Sequence, residues 1–581
     1  MKSFSADQRI FVLMIDEIHI KPQADFNLNY GFFGIDHSDH NLAKTVFAFM
    51  IKSVFFKYKE VILLFPKYKH TSFNLFDMTN QALELIKKAG GSVISIITDN
   101  NRINVKLFSQ LASNPLSFVL KNQNYLSKIF LSYDPVHLIK NIRNNLLNKE
   151  SIEFYVIDSD KNKKKCVAKL EHLILLFKES ISCPLKISSK LTLRSLAPSS
   201  MERQKVSLAL KIFNHENVAG LTYLANKLSD DSILDTSLFI QKFLDWFTCL
   251  NVKTPDKGIN TKNILNYPVN DKTSPVLSFL SNFKNFLEIQ KPLGSKFLTK
   301  QTFDALFSTT DSIRKMLLEL LQKNHYGILT GCFQTDQLEK RFGLYRITNG
   351  SNYHISEKAL RLSEKKLRLS SLIDLTKNIT SVSEQFFSNK KITNQNYNID
   401  MITTDFISIF SPSNVGSLCL TDPGIIYYIT GFCVKKILKN FNCKDCELVL
   451  KSKHMHEYYS SLMQFQKNRE FLCLPSALLM QKMICIDFIL HSLCFGIHRD
   501  NFFKFTNKFD LILKLCETQI QLEFNCVSLH SLRPIVEKIF RLYVNIFLSR
   551  LADFKNDFVS AENIRKLNIF ECDYSPDNPT T

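Results

Sequence analysis

Five short runs rich in Ile, Val, Leu and Phe, at residues 10–15, 30–35, 61–65, 93–97 and 129–133, limit what the first 150 residues can fold into. Each is strand length and bounded by polar or turn residues. Between the third and fourth lies "SFNLFDMTNQALELIKKAGG", where Leu75, Met78, Ala82, Leu85 and Ala89 recur at helical spacing and Gly90 and Gly91 supply a stop. A second helical stretch near residues 104–112 precedes the fifth run. The order is therefore β-β-β-α-β-α-β. Three antiparallel strands joined by short connections, then two strands added in parallel through helices, satisfy it.

That is the strand order of an RNase H-like α/β core, and acids stand where its strands stop. "FVLMIDEIHIKP" ends an apolar run in Asp16 and Glu17; Asp99 follows the fourth strand and Asp134 the fifth. If the first and fourth strands are neighbours, Asp16 and Asp99 lie side by side. Two carboxylates that close repel unless cations sit between them. Magnesium favours all-oxygen donors, and a pair of metals can clamp both oxygens of a phosphodiester displacement. The plainer alternative is that acids after strands are turn residues.

A third acid-bearing segment is "LTGCFQTDQLEKRFGLYR". Its spacing predicts a helix with Leu338, Phe342 and Tyr345 on an apolar face, and Asp336, Glu339, Gly343 and Arg346 on another. A glycine inside a helix costs about 1 kcal/mol relative to alanine, so Gly343 suggests close approach by another backbone or by DNA.

The formal net charge of +20 and pI of about 9.2 point to a polyanionic partner, with nucleic acid the first expectation and a solvated lysine-rich surface the alternative. The 14 cysteines follow no regular framework and no apolar leader begins the chain, which suits reduced thiols. "SALLMQKMICIDFILHSLCFGI" is apolar but interrupted by Gln481, Lys482, Asp487 and His491, so it reads as a buried helix. We expect a first part of the α/β core at 1–150, a large α-helical insertion at 151–325, and the last part of the core at 326–380. A linker at 381–398, a mostly helical C-terminal region at 399–570 and a disordered tail at 571–581 complete the division.

Three segments resemble the P-element-type DNA transposases, which include the THAP-domain transposases: "MIDEIHIK", "TDNNRINVKLF" followed by "YDPVHLIKNIRNNLL", and "TDQLEKRFGLYR". The resemblance implies an RNase H-like core with catalytic acids at Asp16, Asp99 and Glu339 and a further acid at Asp336. These would bind two Mg²⁺ ions, with Mn²⁺ as substitute, for excision of a DNA element and its joining elsewhere. It also implies a nuclear protein acting on transposon ends and target DNA, with homo-oligomerisation open.

In the family the insertion binds GTP, and Asn251 is the position that matches. Where the family often has Asp three residues earlier, this chain has Thr248. No P-loop is present. His137, Lys140 and Arg143 share one helix face after the fifth strand and, with Arg346, are candidates for DNA phosphate contacts. Cys443 and Cys446, followed by His454 and His456, lack the spacing of an ordinary zinc finger, and zinc is not expected there. The chain starts at the first catalytic strand, so the family's THAP and helix-turn-helix region is expected to be missing. Two other readings stand beside transposase: a catalytically inactive, host-adapted DNA- or chromatin-binding protein, and a simple RNase H-like nuclease.

Overall fold

The computed structural model describes residues 4–27, 31–36, 41–69, 72–112, 119–120, 128–157, 162–180, 187–377, 421–439, 443–454, 473–495, 502, 508–519 and 532–559. The expected linker at 381–398, the tail at 571–581 and His456 lie outside them. The chain divides into two units. One holds residues 1–148, 152–166 and 242–388; the other holds 149–151, 167–241 and 389–581.

The first unit is built on a sheet. Its first strand, β1 (Ile10–His19), is followed by a short hairpin of β2 (Asp25–Asn27) and β3 (Gly31–Phe33), then β4 (Thr45–Ser53) and β5 (Lys59–Lys67). Helix α1 (Ser72–Lys88) leads to β6 (Ser92–Thr98), and α2 (Arg102–Leu111) leads through β7 (Val119–Leu120) to β8 (Ile129–Tyr133). The strands lie in the order β5-β4-β1-β6-β8-β7. β4 and β5 run antiparallel to β1 and to each other, while β6 and β8 continue in parallel.

Four of the five expected strands and both expected helices form. The correction concerns the second strand. Residues 31–33 pair with 25–27 in the small hairpin, and the strand beside β1 is β4. Its sequence, TVFAFMIKS, is buried along almost its whole length. A strand covered on both faces reads as a continuous apolar run rather than an alternation. Helix α1 ends as expected, with Gly90 at a φ of +81° that glycine adopts without strain.

After β8, α3 (Pro135–Lys149) runs into a second hairpin, β9 (Ser151–Ile157) with β10 (Lys163–Lys169), where a fading of strand signal had been expected. The next helices are α4 (Leu170–Ser180), α5 (Leu193–Leu196), α6 (Val206–Leu210), α7 (His215–Leu228) and α8 (Ser232–Leu250). They are followed by α9 (Lys257–Thr261), α10 (Pro275–Gln290), α11 (Lys300–Gln322), α12 (Asp336–Thr348) and α13 (Glu357–Lys377). The stretch 151–325, expected as one helical insertion, is shared: 167–241 belongs to the second unit and 242–325 to the first. In the first unit α11 packs on β8, α12 on β1 and α13 on β5. Buried Trp246 donates from Nε1 to Thr310 Oγ1 at 3.0 Å and ties α8 to α11.

In the second unit, helices Pro423–Leu438, Lys444–Leu450, Ala477–Phe495, Lys508–Gln519 and Arg533–Val559 share one apolar core. Among the described residues, Ala477–Phe495 is the one helix long and apolar enough to cross a membrane, and more than half of it is buried in that core. Its polar interruptions are used: Tyr543 donates to Asp487 at 2.8 Å, and His491 Nε2 lies 2.9 Å from Thr421 Oγ1. Cys446 is buried in the same core, with Cys443 packed against it.

Candidate active site

Strand register places the first two acids. Met14 of β1 sits beside Ile97 of β6, so Asp16 and Asp99 occupy equivalent places two residues further along adjacent parallel strands. Neighbouring strands are about 4.8 Å apart. Asp16 Oδ1 accepts from the Glu17 N–H at 2.8 Å. Glu17 follows Asp16 on the strand and so points to the opposite face.

Asp99 is held by its own loop. Its Oδ1 accepts from Asn104 Nδ2 at 2.6 Å and from the Asn101 N–H at 3.2 Å. Asn101 in turn caps α2 by accepting from the Asn104 N–H at 2.9 Å. The asparagines of "TDNNRIN" therefore orient the acid as well as starting the helix. Sequence reasoning did not single out Asn104; its signal was an Asn five residues after the acid, on the first turn of the helix.

Glu339 arrives on the first turn of α12, where the helix dipole favours an acid. Its Oε1 lies 2.9 Å from His137 Nε2. Asp134, buried completely, accepts from the Val136 N–H at 2.9 Å and from Thr335 Oγ1 at 2.5 Å. Thr335 immediately precedes α12, so this bond joins the starts of α3 and α12.

The electrostatics record the crowding. Burial, then the charge of Asp99 and more weakly that of Glu339, push the Asp16 carboxyl up to about 8. His137 partly relieves it. The hydrogen bond from His137 lowers the Glu339 pKa. Burial works against a charged His137, but Glu339 and Asp134 outweigh it and the net shift is upward. Burial raises the Asp134 pKa.

Ligand atoms of Asp134, His137 and Glu339 lie within 4.8 Å of one another and can surround a metal ion. Both Asp134 oxygens, however, already accept hydrogen bonds, so that residue serves the framework. Asp16, Asp99 and Glu339 fit a divalent cation better, since a carboxylate that cannot readily ionise beside its neighbours gains most from one.

The remaining expected residues divide. Asp336 is paired with Lys253 and stands outside the metal-capable group. Lys140 is buried, with Nζ 3.4 Å from His137 Nδ1, and burial lowers its pKa. Arg143 corrects the expectation of a DNA-facing side chain: it is fully buried, because its helix position faces the packed interior. Arg346 is half-buried with its guanidinium 4.5 Å over the Tyr353 ring. Asn251 Oδ1 accepts from Gln334 Nε2 at 3.3 Å, and its carbonyl accepts from Lys257 at 2.6 Å. Nothing lies within 4 Å of a Cβ built on Gly343, so no other backbone among the described residues explains that glycine.

Comparison with known proteins agrees with this geometry. A model of the TNP-like RNase H N-terminal domain matches residues 1–112. A model of the C-terminal domain of DNA transposase THAP9 matches residues 414–556. No curated protein matches the chain. The solved Drosophila P element transposase strand transfer complex is similar, with 17% identity and a TM-score of 0.52, over 63% of this chain and 78% of that one. At that identity the likeness is one of fold. With an RNase H-like transposase domain at one end, a THAP9 C-terminal domain at the other and carboxylates gathered on the sheet, this chain is a DNA transposase of the THAP9 and P-element type.

Proposed function

We propose that the chain cuts and rejoins DNA in a cut-and-paste reaction at Asp16, Asp99 and Glu339, with two Mg²⁺ ions as cofactors and Mn²⁺ as their substitute. The observation that carries this reading is the Asp16 carboxyl pushed up to about 8 beside Asp99 and Glu339. Such a cluster is built for cations. When bound, the metals activate the attacking oxygen and stabilise the leaving one.

The chain's own residues do the rest. Asn104 and the Asn101 N–H fix the Asp99 carboxylate, and the Glu17 N–H fixes one oxygen of Asp16. His137 orients Glu339 and balances its charge. Lys140 adds positive charge beside the cluster, where scissile phosphates would sit. The partners on this reading are transposon ends and target DNA, and the net charge of +20 suits both. Bringing two ends together calls for a homo-oligomer, and the substrate places the protein in the nucleus.

Support for GTP at Asn251 is thinner. The Asn251 carboxamide oxygen is already engaged by Gln334, which leaves only its NH₂ group for a ligand. Calorimetric titration of the full chain with GTP decides this: no heat at millimolar ligand removes the nucleotide.

The central experiment offers the full chain nicked and branched DNA with Mg²⁺ or Mn²⁺. We expect metal-dependent cleavage and joined products, both lost in Asp16→Ala and Asp99→Ala while DNA binding persists. Cleavage that survives either substitution refutes the assignment of the acids. Cleavage without joining points to a plain nuclease, and binding without either reaction to an inactive DNA-binding protein.

A further inference from the structure

We propose that a cavity beside the carboxylates receives one unstacked nucleotide of the DNA strand being cut; this rests on DNA being the substrate of the site. The cavity has a volume of about 750 Å³ and lies between α2, the end of β8 and α11. Pockets of a few hundred to about 1,000 Å³ hold single small ligands, so it suits one nucleotide and excludes a duplex. Its inner end adjoins the acids, because lining residue Asn100 follows Asp99 and lining residue Tyr133 precedes Asp134.

The walls are aromatic. Phe108 and Tyr133 stand with ring centroids 4.9 Å apart, and Phe303 and Phe307 with centroids 6.3 Å apart and planes within 22°. Flat rings are the surface on which unstacked bases pack regardless of sequence.

Two polar atoms on the same cavity make no hydrogen bond: Asn100 Oδ1 and Ser312 Oγ. Their residues are only 8% and 3% exposed. Buried polar groups are nearly always paired, so an unpaired carbonyl oxygen and hydroxyl aimed at one hollow mark the place of a polar occupant. The exocyclic N–H donors and ring nitrogens of a base supply what those two atoms lack. Lys300 and Lys315 also line the cavity, and Lys291 Nζ sits 4.8 Å over the Phe307 ring. These cations suit the phosphates on either side of the base. Aromatic walls, orphaned hydrogen-bonding atoms and lysines together describe a nucleotide rather than a purely apolar guest.

The test uses the full chain and a forked DNA duplex carrying 2-aminopurine at successive positions across the fork. This base brightens when it leaves the stack. At one position we expect fluorescence to rise several-fold on binding. Phe307→Ala, on the half-exposed wall, should remove that rise and weaken binding by roughly 5- to 150-fold, the range for one lost base–aromatic stack. Ser312→Phe, which fills the cavity, should do the same, and a melting curve on each variant confirms folding. DNA bound without brightening at any position overturns the proposal, as does brightening unchanged in both variants. A Phe307-dependent affinity for the free 2-aminopurine nucleotide with none of these effects in DNA would assign the cavity to a soluble nucleotide and also overturn it. Failure to bind DNA at all would remove the DNA reading of the site itself, a separate outcome seen in the same titration.

Discussion

Replacing Asp16 with asparagine should stabilise the metal-free protein near neutral pH, although it destroys the site. The Asp16 carboxyl is pushed from an ordinary 3.8 up to about 8 by burial and by Asp99 and Glu339. The folded state therefore holds a proton that the unfolded chain has released. For such a group stability is full below the unfolded pKa near 4 and is lost as pH rises through about 8. Each pH unit between those values is worth about 1.4 kcal/mol, so the loss approaches roughly 4 kcal/mol at pH 7. Asp16 keeps some contact with solvent and shares its charge balance with neighbours, which brings the expected figure to about 2–3 kcal/mol. Asparagine carries no charge and escapes the loss. The assay is urea unfolding in EDTA from pH 4 to 8, followed by fluorescence of Trp246, the chain's one tryptophan, which is buried in the unit that holds the sheet. The variant should match the native chain near pH 4 and exceed it at pH 8. Mn²⁺ at pH 8 should then raise the native chain and leave the variant unmoved. A native midpoint that is flat from pH 5 to 8, or a Mn²⁺ gain shared by the variant, would refute the reasoning.

Three further outcomes follow from the geometry. Thr335→Val should leave the buried Asp134 oxygen unpaired, cost about 1–3 kcal/mol in urea unfolding, and reduce cleavage more than DNA binding. Gly343→Ala should stabilise α12 by up to about 1 kcal/mol, since its Cβ meets open space; weakened DNA binding in the same variant would show that DNA passes there. Arg143→Ala should lower the melting temperature yet leave the salt dependence of DNA binding unchanged, because the side chain is buried; a slope shallower by about 1 would return it to the DNA surface.

Much of the sheet was legible because its signals are local. The runs at 10–15, 93–97 and 129–133 carry enough Ile, Val and Phe to declare strands, and the parallel pairing of β1 with β6 follows from topology alone. That was enough to bring Asp16 and Asp99 together on paper. β4 was missed because TVFAFMIKS has no alternation, and an aromatic stretch just before it competed for the same role. The face of α3 misled for a related reason. Periodicity puts Lys140 and Arg143 on one stripe, but it cannot say whether that stripe meets solvent or the packed interior, and charge argued for the wrong answer at Arg143. The bond between Asp134 and Thr335 was invisible, since the residues are 201 positions apart and each is an ordinary helix-start residue.

That bond explains how an acid so distant in sequence can serve a site made by β1 and β6. Serine and threonine before a helix usually spend their hydroxyl on the helix's own first N–H groups. Thr335 does not; its hydroxyl goes to Asp134, which caps α3 through the Val136 N–H. One residue pair thus fixes the start of α12 against the start of α3, and the His137–Glu339 contact repeats the connection one turn further along both helices. The entropic cost of closing a long loop rises only slowly with its length. Once the two helix starts are pinned, the chain between them can be long and can lend part of itself to another unit, as residues 167–241 do, without moving Glu339. The site's tolerance of that excursion therefore resides in Asp134, Thr335 and His137 rather than in the acids themselves.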